Sequence, residues 1–254
     1  MGAQLALPLV AGLAMGSFVS VVAHRIPRGL SPVGGRSQCP GCGAQIAAYD
    51  NVPVLSWLWL RGQCRSCGER ISARYPLTEL LLAALYVATV LILGTDDIGE
   101  LTLGLVLCTL LVTITLTDLD RRVIPNIVVA TGAVIGIAIA GISDPQSLVE
   151  RGTAALAGGG FLFLVVLAYP RGMGMGDVKL VAMMGLYLGR SLTPAVLIGF
   201  AAGALVGIGM MVRHGAAARK RAVPFGPFLA LGGLIGLWFG DAIVDWYLDA
   251  FFSG

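Results

Sequence analysis

The chain has 254 residues, of which 57% are hydrophobic and only 12% are charged, and its formal net charge is +3. Soluble domains carry about 25% charged residues, and disordered chains combine low hydropathy with high net charge. The mean hydropathy of +0.86 therefore excludes both classes. The composition predicts an all-α polytopic membrane protein, and its 36 glycines suit helices that pack closely in lipid.

Segments without Asp, Glu, Lys or Arg mark the candidate membrane spans, because a spanning helix needs ~20 mostly apolar residues. Eight such segments occur: residues 1–24, 80–95, 101–117, 123–143, 152–170, 180–189, 191–212 and 222–240. Five are comfortably long enough, the third is at the minimum length, and the second reaches it when residues 76–79 are added. The segment 180–189 is too short alone. We expect about eight transmembrane helices.

The first segment, residues 1–24, resembles a signal peptide only in its apolar character. A signal peptide carries positive charge before its apolar region, whereas the first basic residue here, Arg25, follows that region. We therefore expect a retained first helix with its N-terminus outside.

The basic residues predict the orientation of the spans, because cytoplasmic loops are enriched in Lys and Arg. Eight crossings from an outside N-terminus place all but two of the 17 basic residues, Arg151 and Arg190, in the cytoplasm. This pattern needs two crossings between Lys179 and Arg213, so a short helix from about residue 177 to 189 is expected to cross. The acidic residues of the opposite side are Asp96, Asp97, Glu100, Asp144, Glu150, Asp241, Asp245 and Asp249.

The one long polar insertion, residues 25–75, contains Cys39-Pro-Gly-Cys42 and Cys64-Arg-Ser-Cys67. The two-residue gap lets both sulfurs of a pair reach one Zn²⁺ at ~2.3 Å, although the 21 residues between the pairs slightly exceed the usual spacing. A disulfide or redox pair is the alternative, but the predicted orientation places the insertion in the reducing cytosol. We expect a structural zinc site that folds the insertion.

Ionisable residues at the mouths of membrane helices mark functional sites by default. The candidates are Glu79, Asp118, Asp120 and Asp177. Asp118 follows one apolar segment and Asp177 opens the short helix, so both are expected at the same cytoplasmic depth. Two neighbouring carboxylates share a proton, as an aspartic protease requires.

Structural roles for the same carboxylates have equal weight on charge alone. Asp177 can be a helix N-cap, and Asp118 or Asp120 can pair with Arg121 or Arg122 as an interfacial anchor.

The glycines of Gly172-Met-Gly-Met-Gly-Asp177 resemble a phosphate loop weakly, because such a loop follows a strand and residues 152–170 form a predicted membrane helix. Gly174 and Gly176 fit better as a backbone that approaches an extended peptide. Glu79 can orient Arg74, contact a substrate amine or form a structural ion pair. Lys179 can lower the pKa of a nearby carboxylate, or its side chain can extend to the membrane–water interface.

Taken together, the motifs resemble the type IV prepilin peptidases, which are polytopic aspartic proteases of the GxGD class. The resemblance covers nearly the whole chain. It includes Gly16-Ser-Phe-Val-Ser-Val-Val-Ala-His-Arg25-Ile-Pro27, the cysteine pairs, Leu55-Ser-Trp57-Leu, Arg61-Gly62, Ile71-Ser-Ala-Arg-Tyr-Pro76 with Glu79, Ile124-Pro125 after Asp118, Gly174-Met-Gly-Asp177-Val-Lys179 and Pro224-Phe-Gly-Pro-Phe-Leu229.

The resemblance implies Asp118 and Asp177 as the catalytic pair, with Gly174, Gly176 and Lys179 supporting the catalytic loop. It favours Asp118 over Asp120, because five residues separate Asp118 from the Ile-Pro pair, as in the family. It also implies three parts: a first helix at 1–24, a cytoplasmic zinc module at 25–75, and a transmembrane peptidase core at 76–254.

The activity that the resemblance implies is removal of the short basic leader from prepilins or pseudopilins, in type IV pilus or secretion systems. Cleavage would follow a glycine, at the cytoplasmic face of the cytoplasmic (inner) membrane. Members with the cysteine insertion also methylate the new N-terminus with S-adenosylmethionine, so both activities are expected. One departure is Ser20, which stands where the family usually has Asn, and serine offers a hydroxyl but no amide to a methyl donor.

Two other functions compete with this interpretation. A non-enzymatic ion or proton carrier would place carboxylates near the bilayer midplane, whereas the candidates here cluster at one face. A related GxGD protease would act on other membrane substrates. The expected partners are prepilins and the lipid bilayer; we expect no nucleic-acid partner, and the sequence indicates no oligomeric state.

Overall fold

The computed structural model describes residues 2–39, 41–170, 173–214 and 223–252, and these residues are almost entirely helical. Gly172 and most of the basic loop expected between Arg213 and Arg221 lie outside the described residues. The helices are α1 (Gly2–Arg25), α2 (Leu55–Trp59), α3 (Arg74–Leu93), α4 (Ile98–Arg121), α5 (Asn126–Ser143), α6 (Ser147–Ala168), α7 (Met175–Leu188), α8 (Leu192–His214) and α9 (Gly226–Phe252).

Seven helical stretches of the described chain are long and apolar enough to cross a membrane. The stretch Met175–Arg213 contains both α7 and α8, separated by a short turn of 3₁₀ helix at Gly189–Ser191. The short helix expected at about 177–189 is therefore present as α7, with 14 residues. At 1.5 Å per residue it is ~21 Å long, against ~30 Å of hydrocarbon. The helical membrane fold is confirmed, and the eight crossings stay a prediction.

The contacts divide the chain into two compact units, Met1–Leu91 and Ile92–Gly254, while the domain boundaries expected at residues 24 and 75 stay predictions. In the first unit, α1 packs on α3 through glycines. A Cβ at Gly12 would lie 2.5 Å from the Cα of Ala83, and one at Gly16 would lie 2.5 Å from the Cα of Glu79. Small side chains at these positions let the two backbones meet.

The second unit contains α4 to α9, and its tightest packing is again built on glycines. Gly232, Gly236 and Gly240 form one stripe of α9 that faces Ala195 and Ser191 of the preceding helical segment. A methyl group at Gly232 would overlap the backbone oxygen of Ala195. The same principle joins α6 to α7, where a Cβ on Gly185 would lie 2.5 Å from the backbone of Ala155.

One end of the second unit carries a network of ion pairs. Arg151, 7% exposed, pairs with Glu100 and donates to the backbone oxygen of Tyr187. Arg190 pairs with Asp241 at 2.8 Å and with Asp245 at 2.7 Å. Both arginines that the charge pattern leaves on the non-cytoplasmic side are therefore paired with acidic residues predicted for that side. The helices that carry this network are α4, α6, α7 and α9, and the ends of these helices that are predicted to be cytoplasmic are the opposite ends.

The close approach of the Ala195 backbone to Gly232 can be tested by adding one methyl group at Gly232. We expect Gly232→Ala to destabilise the protein by about 1–3 kcal/mol, because the added carbon meets backbone rather than a flexible side chain. Thermal unfolding in detergent measures this effect. Gly207→Ala on α8 is the matched control: nothing lies within 4 Å of its added carbon, so the midpoint should be unchanged or slightly raised. Equal midpoints for both variants would contradict this packing.

Candidate active site and candidate metal centre

Asp118 lies in the last turn of α4 and is 6% exposed. Its Oδ2 accepts a hydrogen bond of 2.8 Å from the backbone N–H of Gly226, the first residue of α9. A Cβ on Gly226 would lie 2.7 Å from that same oxygen, so only glycine allows the amide to approach. The charge of Asp118 is thus held by a backbone donor that lies 108 residues away in the chain.

Asp177 is the third residue of α7 and is 8% exposed. Its Oδ2 accepts a hydrogen bond of 3.2 Å from the N–H of Gly174, the N-cap residue. Asp177 therefore does support the start of the helix, although from the third position of the helix rather than from the N-cap itself. The neighbouring Gly176 packs on Ile124: a Cβ added at Gly176 would lie 3.0 Å from the Cβ of Ile124.

The structure brings Asp118 and Asp177 to the same end of the second unit, where the C-terminal end of α4 meets the N-terminal end of α7. The two carboxylates interact electrostatically. Asp120, two residues after Asp118, is exposed. Burial therefore distinguishes Asp118 from Asp120.

Each buried carboxylate has one oxygen bonded to a backbone N–H, from Gly226 or from Gly174. This arrangement fixes the direction of both side chains. Two carboxylates whose charges interact hold one proton between them more readily than two negative charges. Such a pair can take a proton from one atom of a reactant and give a proton to another.

Lys179 does not contact either carboxylate through any hydrogen bond found in the described residues. Its Nζ donates to Oδ1 of Asn126 at 2.9 Å, which joins α7 to the first residue of α5. Sequence reasoning missed Asn126 and the amide of Gly226 as partners of the site. The available signals were their positions, directly after Ile124-Pro125 and within the Pro224 to Leu229 segment.

In the first unit, the four cysteines of the insertion converge, as expected. The Sγ atoms of Cys39, Cys42, Cys64 and Cys67 all lie within 4.8 Å of one another. The Sγ atoms of Cys39 and Cys67 are 3.7 Å apart, and a tetrahedral site with Zn–S bonds of ~2.3 Å has edges of ~3.8 Å. The cluster can hold a metal ion, and its thiol donors and spacing fit zinc.

The two cysteine pairs have the same backbone geometry. Gly43 N–H donates to Cys39 O and Gly68 N–H donates to Cys64 O, each at 2.9 Å. Both glycines have positive φ, 70° and 73°, a conformation that residues with a side chain adopt at a cost. The glycine after each pair therefore closes the tight turn that aims both sulfurs at one point.

The thiols of the cluster titrate unequally. Hydrogen bonds from the backbone N–H groups of Cys67 and Ser66 lower the pKa of Cys64 to about 7. The N–H of Glu69 lowers the pKa of Cys67, but the neighbouring thiols and burial outweigh it and raise that pKa to about 12. Four thiols this close need a bound cation to become four thiolates together.

Glu79, on α3, is 7% exposed and faces the cysteine insertion. Its Oε2 accepts a hydrogen bond of 2.7 Å from the N–H of Val54, and the Ser17 hydroxyl donates to the same carboxylate. These donors are neutral. Glu79 is thus a fixed carboxylate between α1, α3 and the insertion, and it belongs to the first unit.

Comparisons with known proteins agree with the division into two units. Residues 10–93 match the family model described as bacterial Peptidase A24 N-terminal domain, and residues 105–208 match the type IV leader peptidase family. The chain is 37% identical to a prepilin leader peptidase/N-methyltransferase of Aeromonas hydrophila, over 94% of this chain and 92% of that protein. No solved structure matches the chain.

Two further relatives carry the same name. The protein of Bacillus subtilis is 34% identical over 96% of this chain and 98% of its own length. The protein of Myxococcus xanthus is 40% identical over 82% of this chain and 63% of its own length.

Metal content tests the cysteine cluster directly. We expect purified protein to contain about one zinc ion per chain, because four thiolates complete a tetrahedral shell, and we expect Cys64→Ser to lose it. Elemental analysis of the detergent-purified protein gives the ratio. Cys108→Ser is the matched control, since Cys108 lies on α4 outside the cluster and should not affect the metal. A wild-type protein without stoichiometric zinc would refute the assignment.

Proposed function

The chain belongs to the type IV leader peptidase family, and we propose that it is an aspartic endopeptidase of the membrane that removes the basic leader from prepilins or pseudopilins. The observation that carries the mechanism is the pair Asp118 and Asp177, buried at one end of the second unit and electrostatically coupled. The relatives' shared name favours this activity over an ion or proton carrier.

In the proposed reaction the two carboxylates share one proton. The ionised carboxylate takes a proton from water as the water oxygen attacks the peptide carbonyl carbon, and the protonated carboxylate gives its proton to the carbonyl oxygen. The tetrahedral intermediate then returns a proton to the carboxylate pair. The C–N bond breaks, and the leaving nitrogen takes a proton as the new N-terminal amine. At the end, the pair again holds one proton.

The backbone donors keep the two carboxylates in this arrangement. Gly226 and Gly174 each fix one oxygen of Asp118 and Asp177 respectively. Lys179 has a positioning role in this proposal, because its bond to Asn126 holds the start of α7 against the start of α5. Gly174 lets a substrate strand approach Asp177, since it carries no side chain. Gly176 supports the same loop by packing against Ile124.

The position of Asp118 and Asp177 supports the proposed substrate class. Asp118 and Asp177 lie at helix ends, so a scissile bond at the membrane interface would reach them while the apolar helix of a prepilin stays in the bilayer. We place this end of the second unit at the cytoplasmic face of the cytoplasmic membrane, with the N-terminus of α1 outside. The segregation of basic residues supports this orientation, and so does the pairing of Arg151 and Arg190 at the far end.

Zinc has a structural role in the proposal. Four thiolate ligands leave no open coordination position for substrate, so the metal folds the insertion and supplies no catalytic water. The duplicated turns at Gly43 and Gly68 support a single closed site.

The second activity is N-methylation of the newly exposed N-terminus, for which the relatives' name gives the support. S-adenosylmethionine supplies the methyl group. The amine nitrogen forms a bond to the methyl carbon, the carbon–sulfur bond breaks with its electrons on sulfur, and one proton leaves the nitrogen. The products are a methylated N-terminus and a neutral thioether.

Leader cleavage of a prepilin in detergent tests the aspartate pair. We expect Asp118→Asn and Asp177→Asn each to reduce kcat by at least ~10³-fold, because an amide of the same size can neither accept nor donate the required proton. Gel or mass analysis of the product gives the rate. Asp120→Asn is the matched control and should cleave at a rate near that of the wild type. Normal cleavage by Asp118→Asn or by Asp177→Asn would contradict the two-aspartate mechanism, provided that the variant still binds zinc and is monodisperse.

Mass spectrometry of the cleaved product tests the second activity. We expect the product to gain the mass of one methyl group when wild-type enzyme and S-adenosylmethionine are both present, and to gain none when either is left out. A product that stays unmethylated with active peptidase would remove methylation from the proposal and leave cleavage unaffected.

A further inference from the structure

The first unit encloses a cavity of about 750 Å³ between α1, the cysteine insertion and the start of α3. Small-molecule sites have volumes of about 300–1,000 Å³, so the cavity is large enough for a nucleotide-sized ligand. Ser17, Ser20, Val21 and His24 line it from α1. Their spacing of three, four and seven residues places them on one face of that helix.

The cavity is lined by a buried carboxyl group, that of Glu79. Glu79 lines the cavity and is 7% exposed, and its bonds to Val54 and Ser17 come from neutral donors. A carboxylate this deep in a membrane-helix unit is costly without a compensating charge. A cationic ligand bound against Glu79 would supply that charge.

The walls offer the other groups that a nucleoside ligand needs. Trp57 lines the cavity, and its ring is fixed because Nε1 donates to Ile71 O at 3.0 Å and because Gly62 lies against the ring. An aromatic face of this kind can stack a base. Arg36 and Arg70 also line the cavity, and a guanidinium binds a carboxylate with a matching pair of donors.

Other lining charges are already used within the protein. Arg65 forms a two-point ion pair with Asp50, at 2.6 and 2.8 Å. The guanidinium of Arg65 also lowers the pKa of Asp50. Arg25 donates to backbone carbonyls of the insertion, including that of Gly34. These residues hold the wall in place, while Glu79 presents a carboxyl group that neutral donors orient.

We propose that this cavity is the binding site for the methyl donor, with the sulfonium group of S-adenosylmethionine against Glu79 and its adenine near Trp57. The proposal rests on the second activity of the proposed function. The donor combines a fixed cation, an aromatic base and a carboxylate, and the cavity presents an anion, an indole ring and guanidinium groups to match. The new N-terminus of a prepilin is also cationic, but it has no base to stack and does not account for the volume.

The first test is direct binding of S-adenosylmethionine to the full-length, zinc-loaded protein in detergent, measured by equilibrium dialysis with radiolabelled donor. We expect Glu79→Gln to raise Kd by about 10-fold or more, because the amide keeps the size and loses the charge. Glu69→Gln is the matched control: Glu69 is exposed, lies in the same insertion and does not line the cavity, so Kd should not change. Equal Kd values for Glu79→Gln and wild type overturn the proposal. This holds even if the variant methylates poorly, because Glu79 would then act on the amine of the prepilin and not on the methyl donor.

The second test uses the wild-type protein, so it does not depend on the folding of a variant. Ultraviolet cross-linking of radiolabelled S-adenosylmethionine, followed by digestion and mass spectrometry, should label peptides within residues 17–79. Label within residues 98–252, or no saturable label, overturns the proposal. Methylation of the cleaved product with label elsewhere leaves the proposed function intact and the cavity assignment wrong. Label in the cavity without product methylation supports the donor site and contradicts the second activity.

Discussion

A buried carboxylate in a membrane protein must be held by donors that the fold itself provides, and this constraint explains how the helices of the second unit meet. Asp118 receives its hydrogen bond from Gly226, so the end of α4 and the start of α9 have to meet. Asp177 receives its bond from Gly174, within its own helix start. One carboxylate therefore depends on tertiary packing and the other on local structure. The two carboxylates therefore come together only when α4, α7 and α9 are packed against one another.

Glycine provides the precision that this assembly needs. The glycine stripe on α9 lets Ala195 and Ser191 approach the helix axis. Gly226, which donates to Asp118, is the first residue of the same helix. In lipid, apolar side chains gain little by contacting each other rather than acyl chains, so contact between backbones becomes a main source of specificity. The high glycine content of the sequence is thus connected directly to the placement of the Asp118 carboxylate.

Much of the fold was predictable, because membrane spans, basic loops and cysteine pairs are local patterns. The short helix before Gly189 followed from charge parity, and the cysteine cluster followed from spacing. The sequence also singled out Asp118 and Asp177, which the structure buries, although only the family resemblance separated Asp118 from Asp120. The sequence does not reveal the donor from Gly226, the bond from Lys179 to Asn126, or the insertion's contact with Glu79. Each of these joins segments that are distant in the chain, and no local pattern encodes which backbone amide will face which oxygen.

The length of α7 has a consequence for the reaction itself. A helix of ~21 Å cannot match a bilayer with ~30 Å of hydrocarbon, and a short hydrophobic segment is accommodated by thinning of the surrounding lipid. Asp177 lies in the first turn of this helix. With α7 as one of the predicted crossings, thinned lipid would bring the aqueous phase closer to Asp177, and water for hydrolysis would need no dedicated channel through the protein. The proposed cleavage would then depend on bilayer thickness, and longer acyl chains would slow it.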